Sequence, residues 1–73
     1  SKAQIPIKAV LGNSVISVND FINLHIGDVI KLDRGVDEEL DIYVGNIKKF
    51  AAMPGSTNDN YAVRITQILK EEE

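Results

Sequence analysis

The sequence contains no cysteine and no tryptophan, one histidine and two prolines. Without cysteine there is no disulfide and no thiolate metal site, so nothing of that kind staples the chain. Aromatic residues make up 5% of it, and the net charge is −3. Single-stranded nucleic acid needs stacking aromatics in a basic groove, and duplex binding needs clustered Lys and Arg, so no nucleic-acid partner is expected. GxGxxG and GxxxxGK are both missing, and Arg34 and Arg64 stand isolated. A phosphate cradle or a second-messenger sensor therefore fails on spacing, and neither a cofactor nor a small-molecule substrate is expected. No apolar run approaches the ~20 residues of a membrane-spanning helix, and no signal peptide opens the sequence; the expectation is a soluble, cytoplasmic chain.

What remains is an ordinary globular mixture, 44% hydrophobic and 26% charged, over 73 residues. That length allows one domain. A single core in so short a chain rarely supplies more than about 3–5 kcal/mol. With disulfide and metal both excluded, the remaining device is oligomerisation, in which partner surface completes the core.

Two Gly-Asn dipeptides punctuate the chain. Gly12-Asn13 separates "IPIKAVL" from "SVISV", and Gly45-Asn46 separates "LDIYV" from "IKKFAAM". Gly-Asn suits a type II′ turn, so each pair predicts a β-hairpin. Ile5, Ile7, Ala9 and Leu11 then share one face, as do Leu40, Ile42 and Val44. Between the hairpins, Ser17 and Asp20 resemble a capping box, and Val18, Phe21, Ile22 and Leu24 follow at helical spacing. The pattern predicts a short helix over 18–24, stopped near Gly27, and a strand over "DVIKLD". "MPGSTNDN" predicts a bend at Pro54-Gly55, and "NYAVRITQIL" a final strand with Tyr61, Val63 and Ile65 on one face and Ile68 on the other. The tail "KEEE" reads as a solvated end or the scar of a truncation.

Val10, Ile16, Ile30, Leu32, Tyr43, Phe50 and Ile68 fall opposite, or out of phase with, the main apolar stripe. One small sheet with one helix cannot cover both sides of so many strands, and exposed apolar area of this kind marks a partner surface. The candidate interface is Ile5, Ile7, Leu11, Ile30, Leu32, Tyr43, Phe50, Tyr61, Val63, Ile65 and Ile68.

Chemistry is scarce. His25 has no cysteine or second histidine to join it, and a catalytic site needs a convergent set of groups. Asp28, Asp33 and Asp37 lack the dense oxygen-ligand pattern of a calcium loop, and Ser14, Ser17 and Ser56 lack a base. "VDEELD" concentrates acid around Asp37, Glu38, Glu39 and Asp41, as a solvated loop or a contact patch for a basic partner. Arg64 either snorkels from an exposed strand face or pairs across an interface. No enzyme is predicted.

In order, "LG" before a short strand, "LxxGDVIxLD", the Gly45-Asn46 turn and "YAVRIT" resemble the SpoA domain of the flagellar motor switch proteins FliM and FliN, over residues 5–69. "FAAMPGSTNDNYAVRI" is most similar to the carboxy-terminal domain of FliM. The resemblance implies a single small SpoA-type β fold over 1–73, mainly β with one short helix, forming an intertwined dimer and ending a longer chain. It implies pairing with itself or a FliN-like protein, contact with other flagellar switch and export proteins, and a place in the cytoplasmic C ring at the flagellar basal body. That ring bears torque and switches rotation direction in chemotaxis. The nearest alternative is the SpoA-type sorting platform of type III secretion systems.

Overall fold

A computed structural model describes residues 1–70, so the three glutamates of the tail lie outside the described residues. Four strands and one helix follow in the order β1 (Ile7–Val10), α1 (Val18–Ile22), β2 (Leu40–Val44), β3 (Ile47–Thr57) and β4 (Asn60–Ile68). The strands form one antiparallel sheet ordered β1-β2-β3-β4. A small, mainly β domain with one short helix is therefore the observed fold.

The Gly45-Asn46 hairpin forms as the sequence predicts. Gly45 sits at φ +58 and Asn46 is not at positive φ, the signature of a II′ turn between β2 and β3. The Gly12-Asn13 hairpin does not form. β1 pairs instead with β2, Ile7 opposite Val44 and Ala9 opposite Ile42, across the whole of residues 11–39. Gly12, at φ +153, turns a corner, and the backbone of Asn13 bonds to Asp33. Neither residues 14–17 nor 28–33 join a ladder within the chain, so the strand expected over "DVIKLD" is absent, and Ile30 and Leu32 lie outside the sheet.

The bend expected at Pro54-Gly55 is also absent. Both residues continue β3, and the chain reverses at Asn58 and Asp59, at φ 49 and 67, as in a type I′ turn. Proline is tolerated because β2 begins opposite Ala52; beyond that point β3 is paired only with β4, and its other edge is free. The helix stops at Ile22, and the Ser17 side chain accepts a hydrogen bond from the Asp20 amide as a cap.

Two bulges rearrange the faces. Ile42 lies opposite Phe50 and Tyr43 opposite Lys48, leaving Lys49 unopposed; Ala52 lies opposite Ile65 and Ala51 opposite Gln67, leaving Thr66 unopposed. Each extra residue shifts the phase of its strand by one position. Phe50 and Ile68, read from the sequence as out of phase, thereby join Ile42, Ala52 and Ile65 on one face. Tyr43 and Val10 stay on the other, beside Asp41 and Lys8.

The core is small. Among the described residues the buried hydrophobic side chains are Leu40, Ile42, Ala51 and Ala52, and Ile42 is the one large side chain fully covered. The radius of gyration is 15.6 Å, against about 11 Å for a compact domain of this length. The accessible surface is 6795 Å², roughly 2,000 Å² more than a folded monomer of this mass presents.

Gly45→Ala tests the turn. A Cβ there meets nothing within 4 Å, so the cost is conformational, about 1 kcal/mol for an L side chain at positive φ. Melting should fall by about 4–8 °C. An unchanged melting temperature means the turn tolerates a side chain at this position.

Candidate interaction surface

One face of the sheet is apolar from edge to edge. The strand register places Ile7 and Ala9 beside Val44, Ile42 and Leu40, then Ile47, Phe50, Ala52 and Pro54, then Ile68, Ile65, Val63 and Tyr61. Two shallow grooves lie on it. One, of about 490 Å³, is lined by Ile5, Ile7, Val44, Ile47, Lys49 and Phe50. The other, of about 290 Å³, runs past Leu11, Leu40, Pro54, Tyr61 and Val63. Ile7 is 59% exposed and Ile68 66%. The opposite face carries Lys8, Tyr43, Asp41, Lys48, Arg64 and Gln67, and there Lys8 Nζ sits 5.3 Å from the centre of the Tyr43 ring.

Of the residues singled out from the sequence, Ile5, Ile7, Leu11, Phe50, Tyr61, Val63, Ile65 and Ile68 come together on the apolar face. Tyr43 points away from it. Ile30 and Leu32 belong to the second apolar feature, an arm formed by residues 11–39. The arm exposes Val15, Val18, Phe21, Ile22, Ile26 and Val29, and α1 buries none of its own residues. Most of these side chains escape a search for strand faces. Their signal in the sequence is apolar density in a segment whose helix is too short to bury it.

The arm is fastened at its base. Asp33 Oδ1 accepts from the Asn13 amide at 2.8 Å, and the Asp33 amide donates to the Asn13 carbonyl at 2.9 Å. Arg34 then reaches the sheet, donating from Nη1 to the Glu39 carbonyl at 2.9 Å and from Nη2 to Asp41. Lys48 Nζ lies 3.2 Å from the other Asp41 oxygen. The Arg34 hydrogen bond, aided by Lys48, holds the Asp41 carboxyl below the usual carboxylate range against the opposing effect of burial. Of the acidic run, Asp41 is thus a structural anchor, and Glu39 accepts from the Gln67 side chain at 2.8 Å.

His25 and Asp28 close a turn in the arm through backbone and carboxylate bonds. Among the described residues no group of three or more His, Cys, Asp or Glu is placed to hold a metal ion, and no helix is long and apolar enough to cross a membrane. The geometry leaves exposed apolar side chains on one sheet face and along the arm.

Comparison with known families places this arrangement. The family described as "Type III flagellar switch regulator (C-ring) FliN C-term" matches residues 1–70. The chain belongs to that family. It is 41% identical to the flagellar motor switch protein FliM of Bacillus subtilis over 63 residues, 86% of this chain and 19% of that protein. It is 32% identical to FliM of Thermotoga maritima over 89% of the chain and 20% of that protein. Against FliN of Caulobacter vibrioides the identity is 34%, over 92% of the chain and 61% of that protein. The chain thus spans about a fifth of the FliM relatives it matches. The family is one of structural switch components and not of enzymes.

The Asp41 anchor has a pH consequence. Its carboxyl has a lowered value in the folded chain, so it stabilises the fold above the unfolded value of about 3.9 and loses that contribution as pH falls through the folded one. The urea midpoint of the wild type should drop more steeply between pH 5 and pH 2 than that of Asp41→Asn. Parallel curves would remove the anchor role.

Proposed function

We propose that this chain is an assembly module of the flagellar motor switch, pairing with a second SpoA-type domain, its own copy or a FliN-like one, by exchange of the arm. The reading rests on the excess of exposed apolar surface. Sheet face and arm are two uncovered apolar sets on separate parts of one chain. Sheet-to-sheet packing leaves both arms bare, whereas reciprocal arm-on-sheet packing covers both sets under one two-fold axis. Removing roughly 2,000 Å² of excess surface from each chain gives an interface in the range of obligate dimers, which bury about 2,000–5,000 Å² in total. The interface would then comprise Ile5, Ile7, Leu11, Phe50, Tyr61, Val63, Ile65 and Ile68 from the sheet, and Ile30 and Leu32 with the rest of the arm.

In this reading the pair is a building block of the cytoplasmic ring at the base of the rotor, and its work is mechanical. It passes torque between neighbouring subunits and contributes to switching of rotation direction. The names of its relatives support the flagellar setting over a secretion platform.

Light scattering over a dilution series tests the pairing. The isolated chain should be dimeric, and a compact, fully folded monomer at low micromolar concentration counts against it. Ile65→Asp places a carboxylate on the apolar face, and burying it without a partner costs several kcal/mol. Because pairing and folding are linked, this variant should lose dimer and fold together. A variant that stays dimeric at wild-type stability would take this face out of the interface.

A further inference from the structure

The arm's attachment is concentrated at one point. Among the described residues, no hydrogen bond runs from residues 14–32 to the sheet; those within the arm close local turns such as Phe21 to Ser17 and Asp28 to His25. The outgoing segment is tied to the returning one by the two bonds between Asn13 and Asp33, and the returning segment is tied to the sheet by Arg34 on Asp41 and, just before β2, on the Glu39 carbonyl. Adjacent residues thus face opposite ways, Asp33 into the arm and Arg34 onto the sheet.

Gly12 completes the fit. A Cβ there would lie 2.9 Å from Asp33 Oδ1, 3.3 Å from Leu32 Cβ and 3.4 Å from Arg34 Cγ, on a backbone at φ +153 that L side chains rarely adopt. The returning segment therefore lies directly against the Gly12 backbone. Without the Asp33 carboxylate the outgoing backbone loses its side-chain tether at the corner where glycine gives it most freedom.

We infer that Asp33, backed by Arg34, is a positioning residue that locks the direction in which the arm leaves its own sheet. In an arm-exchanged pair the arm is held by the partner at one end and by this lock at the other. Two such locks then fix the angle between the two sheets. This deepens the pairing proposed above and rests on it. The lock acts on geometry: a dimer without it still forms through apolar contact, but its two sheets rock.

Because the chain has no cysteine, a single Asn46→Cys in the exposed β2–β3 turn takes one spin label per copy. Pulsed dipolar spectroscopy then reads the distance between the two turns, alongside a thermal melt. The wild-type background should give one narrow distance. Asp33→Asn should keep it, since the amide oxygen still accepts from Asn13. Asp33→Ala should broaden it at least twofold. Arg34→Lys should broaden it too, because one ammonium cannot serve Asp41 and the Glu39 carbonyl with the same fork, and this variant decides the matter if Asp33→Ala does not fold. Wild-type width in Asp33→Ala, or in Arg34→Lys where that variant decides, overturns the lock while leaving the exchange standing. A lower melting temperature at unchanged width has the same meaning. No dipolar signal between wild-type copies overturns the exchange itself.

Discussion

The ladder between β1 and β2 closes across residues 11–39, and most of the molecule's character comes from that closure. A strand that paired with its immediate successor would have drawn residues 14–17 into the sheet. By taking β2 instead, β1 leaves the intervening segment outside, with its apolar side chains and no ladder of its own. Long-range pairing of this kind carries a loop-closure cost before its contacts reward it. Here the reward within one chain is slight, because the buried core is two large aliphatic side chains and two alanines. Such a core is thin for a chain of this length, and the proposed pairing rests on that thinness.

Charge supplies what apolar packing does not at the base of the arm. Asp41 lies in β2 opposite Val10 of β1, and its carboxylate gathers Arg34 from the returning side of the arm and Lys48 from β3. Three segments distant in sequence are therefore referred to one half-buried group. The polar face of the sheet is organised around it, and on the apolar face Lys49, the unopposed residue of the first bulge, lines the groove beside Phe50.

The sequence shows some of this plainly and hides the rest for identifiable reasons. Gly45-Asn46 was legible because its turn is local chemistry: a glycine at positive φ between two strands that already belong together. Gly12-Asn13 carries the same two letters, but Asn13 is taken by Asp33, a partner that no nearest-neighbour rule reaches. The Pro54-Gly55 signal misled because proline breaks a strand only where a ladder bond is lost, and β3 has already outrun β2 at that position. Period-two reading also made the sheet look apolar on both sides. Lys49 and Thr66 are the cause, since a single unopposed residue flips every later assignment. The apolar residues themselves were legible, as was their want of cover. Tyr43 keeps the side opposite the main stripe, as read, whereas Phe50 and Ile68 were read as out of phase with a face they in fact share. Most of the arm's exposed residues were missed because they join no strand face.

Those two bulges also decide where the gene can change length. Losing or gaining one codon between Leu40 and Ala52 would turn Phe50 or Ile42 toward water and bring Lys48 or Asp41 onto the apolar side. The same holds in β4 near Ile65 and Ile68. Beyond Ala52 the ribbon of β3 and β4 stands clear of β2, so paired insertions there lengthen it without disturbing the rest. Insertions and deletions among homologues should therefore collect at the Asn58-Asp59 tip and in the loops of the arm, while the four-stranded part keeps a fixed count of residues.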